Sequence, residues 1–550
     1  MKFDISVQNG TILDGTGHQG FPADLLIKDA RIAAVDRTQS PHEAHQVINA
    51  SQRIVSPGFI DVHTHADFIF ASPRHHQLLE PFVRQGVTTM VTGNCGVSPA
   101  PMNSDCIDQF SAYWDCILPG EGLGWGWRTM SEFLHHIETL RPVLNMSQLV
   151  GHGTVRLDVL GYNRRSPTAG ELETMRRHVR QSIEEGAAGL SFGLGYVPGI
   201  WADTAELIHV ARGLPPNGHI TVHLRGQTRF FDKAVEEMIS VAEAAGASLQ
   251  RSHFVPFKET YTEQFFSAYQ LTESARARGM NIGYDLLPYA VASTTIFMLY
   301  PPWMLEGGLP AFFTRLGRRE IRDRLIDEFK HRKPEWPQWK SGTWCDFEWD
   351  EEAGWGDYRF YGFRKKEHLA YEGLNLEAIA EDMSRNPFEA LFDLTVAESG
   401  RLYYTSGSHD DEGFDMAMGM FLQLPHMSFM TDAVGIGRQA KHPSHYGTFP
   451  RFLARHARDW ATFPLAEAIR KCTSLPAHQL GIKDRGVIRE GAYADLVIFD
   501  PDTVEDMASF AAPYRYPQGI ETVLINGAPV WHNGEYLGAN ERPGMVLRNP

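Results

Sequence analysis

The chain has 550 residues, too long for one ordinary core, and its 43% hydrophobic and 21% charged residues are those of a globular protein. A formal net charge of -16 repels polyanions, and no basic cluster offsets it, which argues against a nucleic-acid partner. The opening MKFDISVQNG lacks a basic and then apolar leader, and the apolar stretch TTIFMLYPPWMLEGGLPAFF is broken by Pro301, Pro302, Gly307 and Gly308, so neither secretion nor a membrane span is expected. Five cysteines (Cys95, Cys106, Cys116, Cys345, Cys472) are odd in number and lack CxxC spacing, which disfavours a disulfide framework and favours a reducing cytoplasm.

In chain order, FDISVQNGTILDG and ADLLIKDARIAAVD are alternating runs joined by turn residues such as Asn9-Gly10. GVIREGAYADLVIFD and ETVLINGAPVWHNG repeat that pattern at the far end, with Asn526-Gly527 and Asn533-Gly534. These are hairpin signals, and residues 1–56 with 481–550 are expected to pair into one small β-sandwich domain.

Between the ends, eight short apolar runs close on polar or glycine-rich residues: PGFIDVHTHAD, GVTTMVTGNCG, LNMSQLVGHGTVR, GAAGLSFGLGY, GHITVHLRG, ASLQRSHF, MNIGYDLLPY and MSFMTDAVG. GELETMRRHVRQSIEEG and DKAVEEMISVAEAAG, lying between runs, show helical spacing and end on glycine. Eight strand–helix units predict an α/β chain with a (β/α)8 TIM-like barrel over 57–480, whose reactive groups gather at the C-terminal strand ends. A segment over about 296–424, containing EWPQWKSGTWCDFEWDEEAGWGDYRFYGF, is far longer than an ordinary connection. It reads as an inserted subdomain, either a lid on the barrel mouth or a surface elaboration packed on the barrel or on another subunit of a homo-oligomer.

Polar donors fall at the predicted strand ends. His63 and His65 close the first run and, by the period of two, share a side; Cys95 closes the second, His223 the fifth, His253 the sixth and Asp432 the eighth. His75-His76 and His135-His136 lie in helix-like or loop sequence and are set aside. Nitrogen, sulfur and carboxylate donors converging on one mouth are what a borderline-soft cation such as Zn²⁺ requires.

GFIDVHTHAD closely resembles the signature of the amidohydrolase superfamily. GNCGVSPAP, GHGTVR, GAAGLSFGLGYVPG, SHF, HYGTFPRFLARHAR and LPAHQLGIKDRGVIREGAYADLVIFDP are similar to its D-aminoacylase (N-acyl-D-amino-acid deacylase) branch, over nearly the whole chain. Many amidohydrolases bridge two metals with a carbamylated lysine at strand four, whereas LSFGLGY offers none. The resemblance implies that Cys95 takes that place, that Cys95, His223 and His253 form a tight zinc site, and that His63 and His65 hold a second ion or line the site. It further implies that Asp432 is the general base and acid. His152, Tyr196 and Ser293 are placed around the substrate, Tyr196 donating to the developing oxyanion. Arg225, near His223, either meets an anionic substrate or forms a structural ion pair.

The implied reaction is zinc-dependent cleavage of the amide bond of an N-acyl-D-amino acid or related N-acylated small molecule, with cyclic amide, imide or N-carbamoyl hydrolysis as the alternative. A non-catalytic scaffold is disfavoured, since every expected ligand is present. The branch grips a substrate carboxylate with a lysine, a tyrosine and an arginine where this chain has Val255, Leu287 and Ser444. Either Lys258, Arg438, Lys441 or His445 replaces them, or the substrate has no carboxylate there.

Overall fold

In the computed structural model the chain is described over residues 2–120, 122–254, 261–344, 354–407, 418–437 and 442–548. Val255, Lys258, Arg438, Lys441, Cys345 and the 345–353 part of the tryptophan-rich insert lie outside the described residues.

The eight apolar runs become eight parallel strands paired in chain order: Phe59–Asp61, Val87–Thr92, Asn145–Gly151, Gly189–Gly193, His219–His223, Ser248–Arg251, Ile282–Leu286 and Met427–Phe429. All residues of the second, third, fourth, fifth and seventh are buried, the pattern of parallel strands covered on both faces. The seam between eighth and first strands is joined just beyond their ends, where Asp432 N donates to His63 O at 3.0 Å and Thr431 N to Asp61 Oδ1 at 3.1 Å. The result is a nearly closed barrel wrapped in helices.

Local chemistry sets the helix ends. Thr168 and Glu171 form a reciprocal capping box at the start of Ala169–Glu184, as Thr129 and Glu132 do for Met130–Leu140. Phe231–Ala245 closes on Gly246 at φ +64 and lays Ala234, Val235, Met238, Ile239 and Ala242 against the barrel. Each large side chain so buried contributes about 1.5–3 kcal/mol.

Strands from both ends of the chain share one nine-stranded sheet, in which Leu496–Phe499 runs antiparallel to Ile54–Pro57. Asn526-Gly527 joins Ile520–Ile525 to Ala528–His532 as a two-residue turn, both residues at positive φ, and Asn533-Gly534 likewise joins Ala528–His532 to Glu535–Tyr536. Asn9-Gly10 is not a hairpin turn. It lies inside the strand Phe3–Ile12, where the register shifts against Phe21–Lys28 and Asn9 takes φ +64, the geometry of a bulge. A Cβ on Gly10 would stand 2.6 Å from Val55 Cγ2, so close strand packing accounts for the glycine.

The insert contains a three-stranded antiparallel sheet of Val291–Thr295, Tyr403–Gly407 and Tyr358–Tyr361. Its Phe297, Tyr300, Trp344, Trp355 and Phe360 belong to one apolar cluster with Cys95, Val97, Trp114 and Tyr196. The insert therefore shares a core with the barrel mouth. Among the described residues no helix is long and apolar enough to cross a membrane.

Candidate active site

Every expected ligand position stands at a C-terminal strand end, and three depart from ordinary backbone. Cys95 (φ +52), His253 (φ +40) and Asp432 (φ +44) all occupy left-handed conformations. Non-glycine residues held there cost about 1–3 kcal/mol each, and such strain collects where side-chain aim matters.

Cys95 Sγ lies 3.3 Å from His63 Nε2, 3.9 Å from His223 Nδ1 and 3.8 Å from His253 Nε2. Asp432 Oδ1 lies 3.5 Å from His63 Nε2 and 3.4 Å from His65 Nε2. One donor atom each from His63, Cys95 and His253 falls within 4.8 Å of the others, and the same holds for His63, His65 and Asp432. His63 is common to both groups.

Electrostatics follow from this crowding. Burial opposes ionisation of the Cys95 thiol, yet the His63 charge and the contacts of His223 and His253 outweigh it and hold the thiol well below its usual range. Burial opposes charge on His65 too, but Asp432 and Cys95 raise it to about 9, and Cys95, Asp432 and Asp285 raise His63. Against its own burial, Asp432 is drawn down to about 2 by His63, His65 and His253. A thiolate, a carboxylate and clustered imidazoles, mutually within ligand range, are the donors that Zn²⁺ accepts, and the imidazole protons are those that a cation displaces. The residues present fit the ion.

Two supporting residues were not foreseen. Asp285, inside the seventh strand, accepts from His253 N at 2.7 Å and lies 3.7 Å from His63 Nδ1, while its other oxygen accepts from Gln250 Nε2. Gln227 Oε1 stands 3.2 Å from His253 Nδ1, which leaves Nε2 turned to Cys95. The visible signal was an acid within a buried strand, GYDLL, which is costly unless paired.

Around this cluster the expected substrate residues divide. The Tyr196 ring lies 4.8 Å from that of His223 and 4.8 Å from that of Trp114, and Thr294 Oγ1 donates to its hydroxyl at 3.3 Å. Ser293 neighbours Thr294 in the strand Val291–Thr295 and is half-buried. His152 and Arg225 are each held by a buried carboxylate. His152 is fully buried with Nε2 3.1 Å from Glu206, a carboxylate shared with Arg156. Arg225, also fully buried, donates Nε to Glu237 at 2.9 Å, Nη1 to Ile200 O at 3.0 Å and Nη2 to Ala202 O at 2.8 Å. A guanidinium so occupied has the role of a structural ion pair, fastening the segment that follows Tyr196.

Of the altered carboxylate positions, Leu287 packs against the apolar barrel interior. Ser444 is buried, its hydroxyl 2.7 Å from His442 Nδ1. His445 is buried as well, and desolvation followed by His442 lowers it to about 3, so it is a neutral ring, not the replacement cation considered above.

A parallel barrel with thiol, imidazole and carboxylate donors at its mouth is the framework of a metal-dependent hydrolase. The sequence profile of the amidohydrolase family matches residues 46–322 and 423–531. The chain is 30% identical to a D-aminoacylase of Alcaligenes xylosoxydans xylosoxydans over 550 residues, covering 99% of this chain and 97% of that protein. It is equally 30% identical to an N-acyl-D-glutamate deacylase of the same organism, covering 100% and 97%. The structure superposes with TM-score 0.80, at 28% identity and full coverage of both chains, on an N-acyl-D-glutamate deacylase from Bordetella bronchiseptica complexed with zinc and a phosphonate mimic of the tetrahedral intermediate. The chain belongs to the amidohydrolase family, in its D-aminoacylase branch, and is a hydrolase of C–N bonds other than peptide bonds.

Proposed function

We propose that this protein hydrolyses the amide bond of an N-acylated small molecule of the N-acyl-D-amino-acid type, with zinc held by Cys95, His223 and His253 and with His63 and His65 disposed toward a second ion. The observation that carries the reading is the pair of donor triplets, His63–Cys95–His253 and His63–His65–Asp432, with His223 Nδ1 3.9 Å from Cys95 Sγ. The names of the full-length relatives, D-aminoacylase and N-acyl-D-glutamate deacylase, support the substrate type.

Bound zinc supplies Lewis acidity, polarising the scissile carbonyl and lowering the pKa of water toward about 7. Asp432, ionised and with its side chain 18% exposed toward the mouth, is the group that takes the attacking water's proton. It then returns that proton to the departing nitrogen, which cannot leave as an anion. Tyr196 donates to the carbonyl oxygen as negative charge grows there, its hydroxyl steadied by Thr294. Beside Cys95 and Tyr196 lies a narrow cavity walled by Val97, Phe110, Trp114, Leu157 and Tyr162.

Leu287 and Ser444 favour a second reading at the carboxylate end, because one is apolar and the other is bonded to His442. On that reading the substrate lacks a free carboxylate at this place, as in a cyclic amide, an imide or an N-carbamoyl compound. The deciding experiment incubates the zinc-loaded protein with matched N-acyl-D-amino acids, their carboxamides, N-acyl amines and cyclic imides, and follows the products by mass spectrometry. Turnover confined to free-carboxylate D-substrates overturns the second reading; turnover of none overturns both.

A further inference from the structure

The turn that presents Cys95 is seated on strand four, not on its own strand. Gly93, Cys95 and Gly96 all take positive φ, so the backbone from 93 to 96 has no regular ladder to satisfy its peptide groups. Two of those groups, one on each side of Cys95, meet a single side chain. Gly96 N donates to Ser191 Oγ at 3.1 Å, and Ser191 Oγ donates to Gly93 O. Ser191 is fully buried in the strand Gly189–Gly193, and only a hydroxyl can accept from an amide and donate to a carbonyl through one atom.

Close packing from the same side completes the seat. A Cβ on Gly193 would stand 1.8 Å from Cys95 O, and one on Gly151, at the end of strand three, 2.4 Å from Gly96 O. Strands three and four thus carry no Cβ at Gly151 and Gly193, where the turn lies on them, and Ser191 reaches the turn from beneath with its hydroxyl. The strand that offers no lysine still acts on the metal site, through the turn.

We propose that Ser191 is a positioning residue for Cys95, its hydroxyl clamping Gly93 O on one side of the cysteine to Gly96 N on the other and so setting where the thiolate stands. This rests on the reading of Cys95 as a metal ligand, and the test separates the two. Wild type, Ser191→Ala and Ser191→Thr are each loaded with Co²⁺, whose thiolate charge-transfer band reports the Cys95 bond, and Co²⁺ affinity is measured by competition with a chelator. The metal-free proteins are treated with N-ethylmaleimide, and Cys95 modification is followed by peptide mass.

Ser191→Ala is expected to weaken the band and lower Co²⁺ affinity about 10-fold or more, the size of effect that loss of an outer support brings. Cys95, 3% exposed in wild type, should be alkylated several-fold faster in this variant. Ser191→Thr should restore both readouts. Wild-type affinity and alkylation rate in a folded Ser191→Ala overturn the proposal. No thiolate band in wild type overturns the reading of Cys95 as a ligand, while the alkylation rates still decide the clamp. Should Ser191→Ala fail to fold, Ser191→Val against Ser191→Thr compares the same shape without and with the hydroxyl, and equal alkylation of that pair is equally fatal.

Discussion

Replacing Asp432 by asparagine keeps the side chain's size and leaves its backbone bond to His63 O in place, so the perturbation is confined to charge and proton affinity. The carboxylate stands 3.4 Å from His65 and 3.5 Å from His63 and is ionised, drawn down to about 2 by the surrounding imidazoles. An amide there neither accepts the water's proton nor donates one to the leaving nitrogen. Loss of a positioned general base and acid costs about 10²–10⁴-fold in rate, or about 3–5 kcal/mol of barrier. The donors of the Cys95 triplet do not include Asp432, so zinc at that triplet should hold, while an ion at the His63–His65–Asp432 triplet would be weakened. The assay is kcat and KM on whichever substrate the screen yields, with metal content measured on the same preparation. A variant retaining more than about a tenth of wild-type kcat refutes the acid–base role, since even the weakest such group contributes more. Loss of the zinc at the Cys95 triplet together with activity would instead make Asp432 essential to that ion's binding.

Cys95→Ala should bind zinc far more weakly and lose turnover, and exhaustive chelation of wild type should do the same until zinc is restored, both read by metal analysis beside activity. Thr294→Val, which removes the bond to Tyr196 while keeping shape, should lower kcat by about 3–10-fold with KM little changed, the value of one neutral hydrogen bond. Glu237→Gln leaves the Arg225 charge buried without its counter-ion and should cost about 3–5 kcal/mol of stability, measured by denaturant unfolding. Lys471, whose ammonium reaches Leu424 O at 2.5 Å, is lowered by burial from 10.5 to about 7. Between those values the unfolded chain binds the extra proton, so stability rises with pH from 7 to 10.5, by a few kcal/mol over the window. Unfolding at several pH values should show that slope in wild type and a smaller one in Lys471→Met; equal slopes would remove Lys471 as its source.

The barrel was legible in the sequence because its strands are buried on both faces. Runs such as VTTMVT and HITVH are continuous stretches stopped by glycine or polar residues, and a chemistry-bearing side chain at such a stop can only point into the mouth. That is why His63, His65, Cys95, His223, His253 and Asp432 could be singled out from one-dimensional order. Asn526-Gly527 was readable for a similar reason, since the flanking strands and the left-handed turn are all local. Asn9-Gly10 has the same letters but became a bulge, because Phe21–Lys28 and Val55 of another strand set its surroundings.

What the tertiary structure alone decided is pairing. Glu237, from the following helix, pairs with Arg225, and Glu206, 54 residues beyond His152, meets the Nε2 of that ring. Asp285 beneath His253, Thr294 on Tyr196 and Ser191 under the Cys95 turn likewise join elements far apart in the chain. Periodicity records which face of an element is buried, whereas the partner met on that face depends on how helices, strands and the insert are placed in space. Sequence order determined which donors reach the mouth; packing between elements determined how they are aimed and which neighbours are left for a substrate.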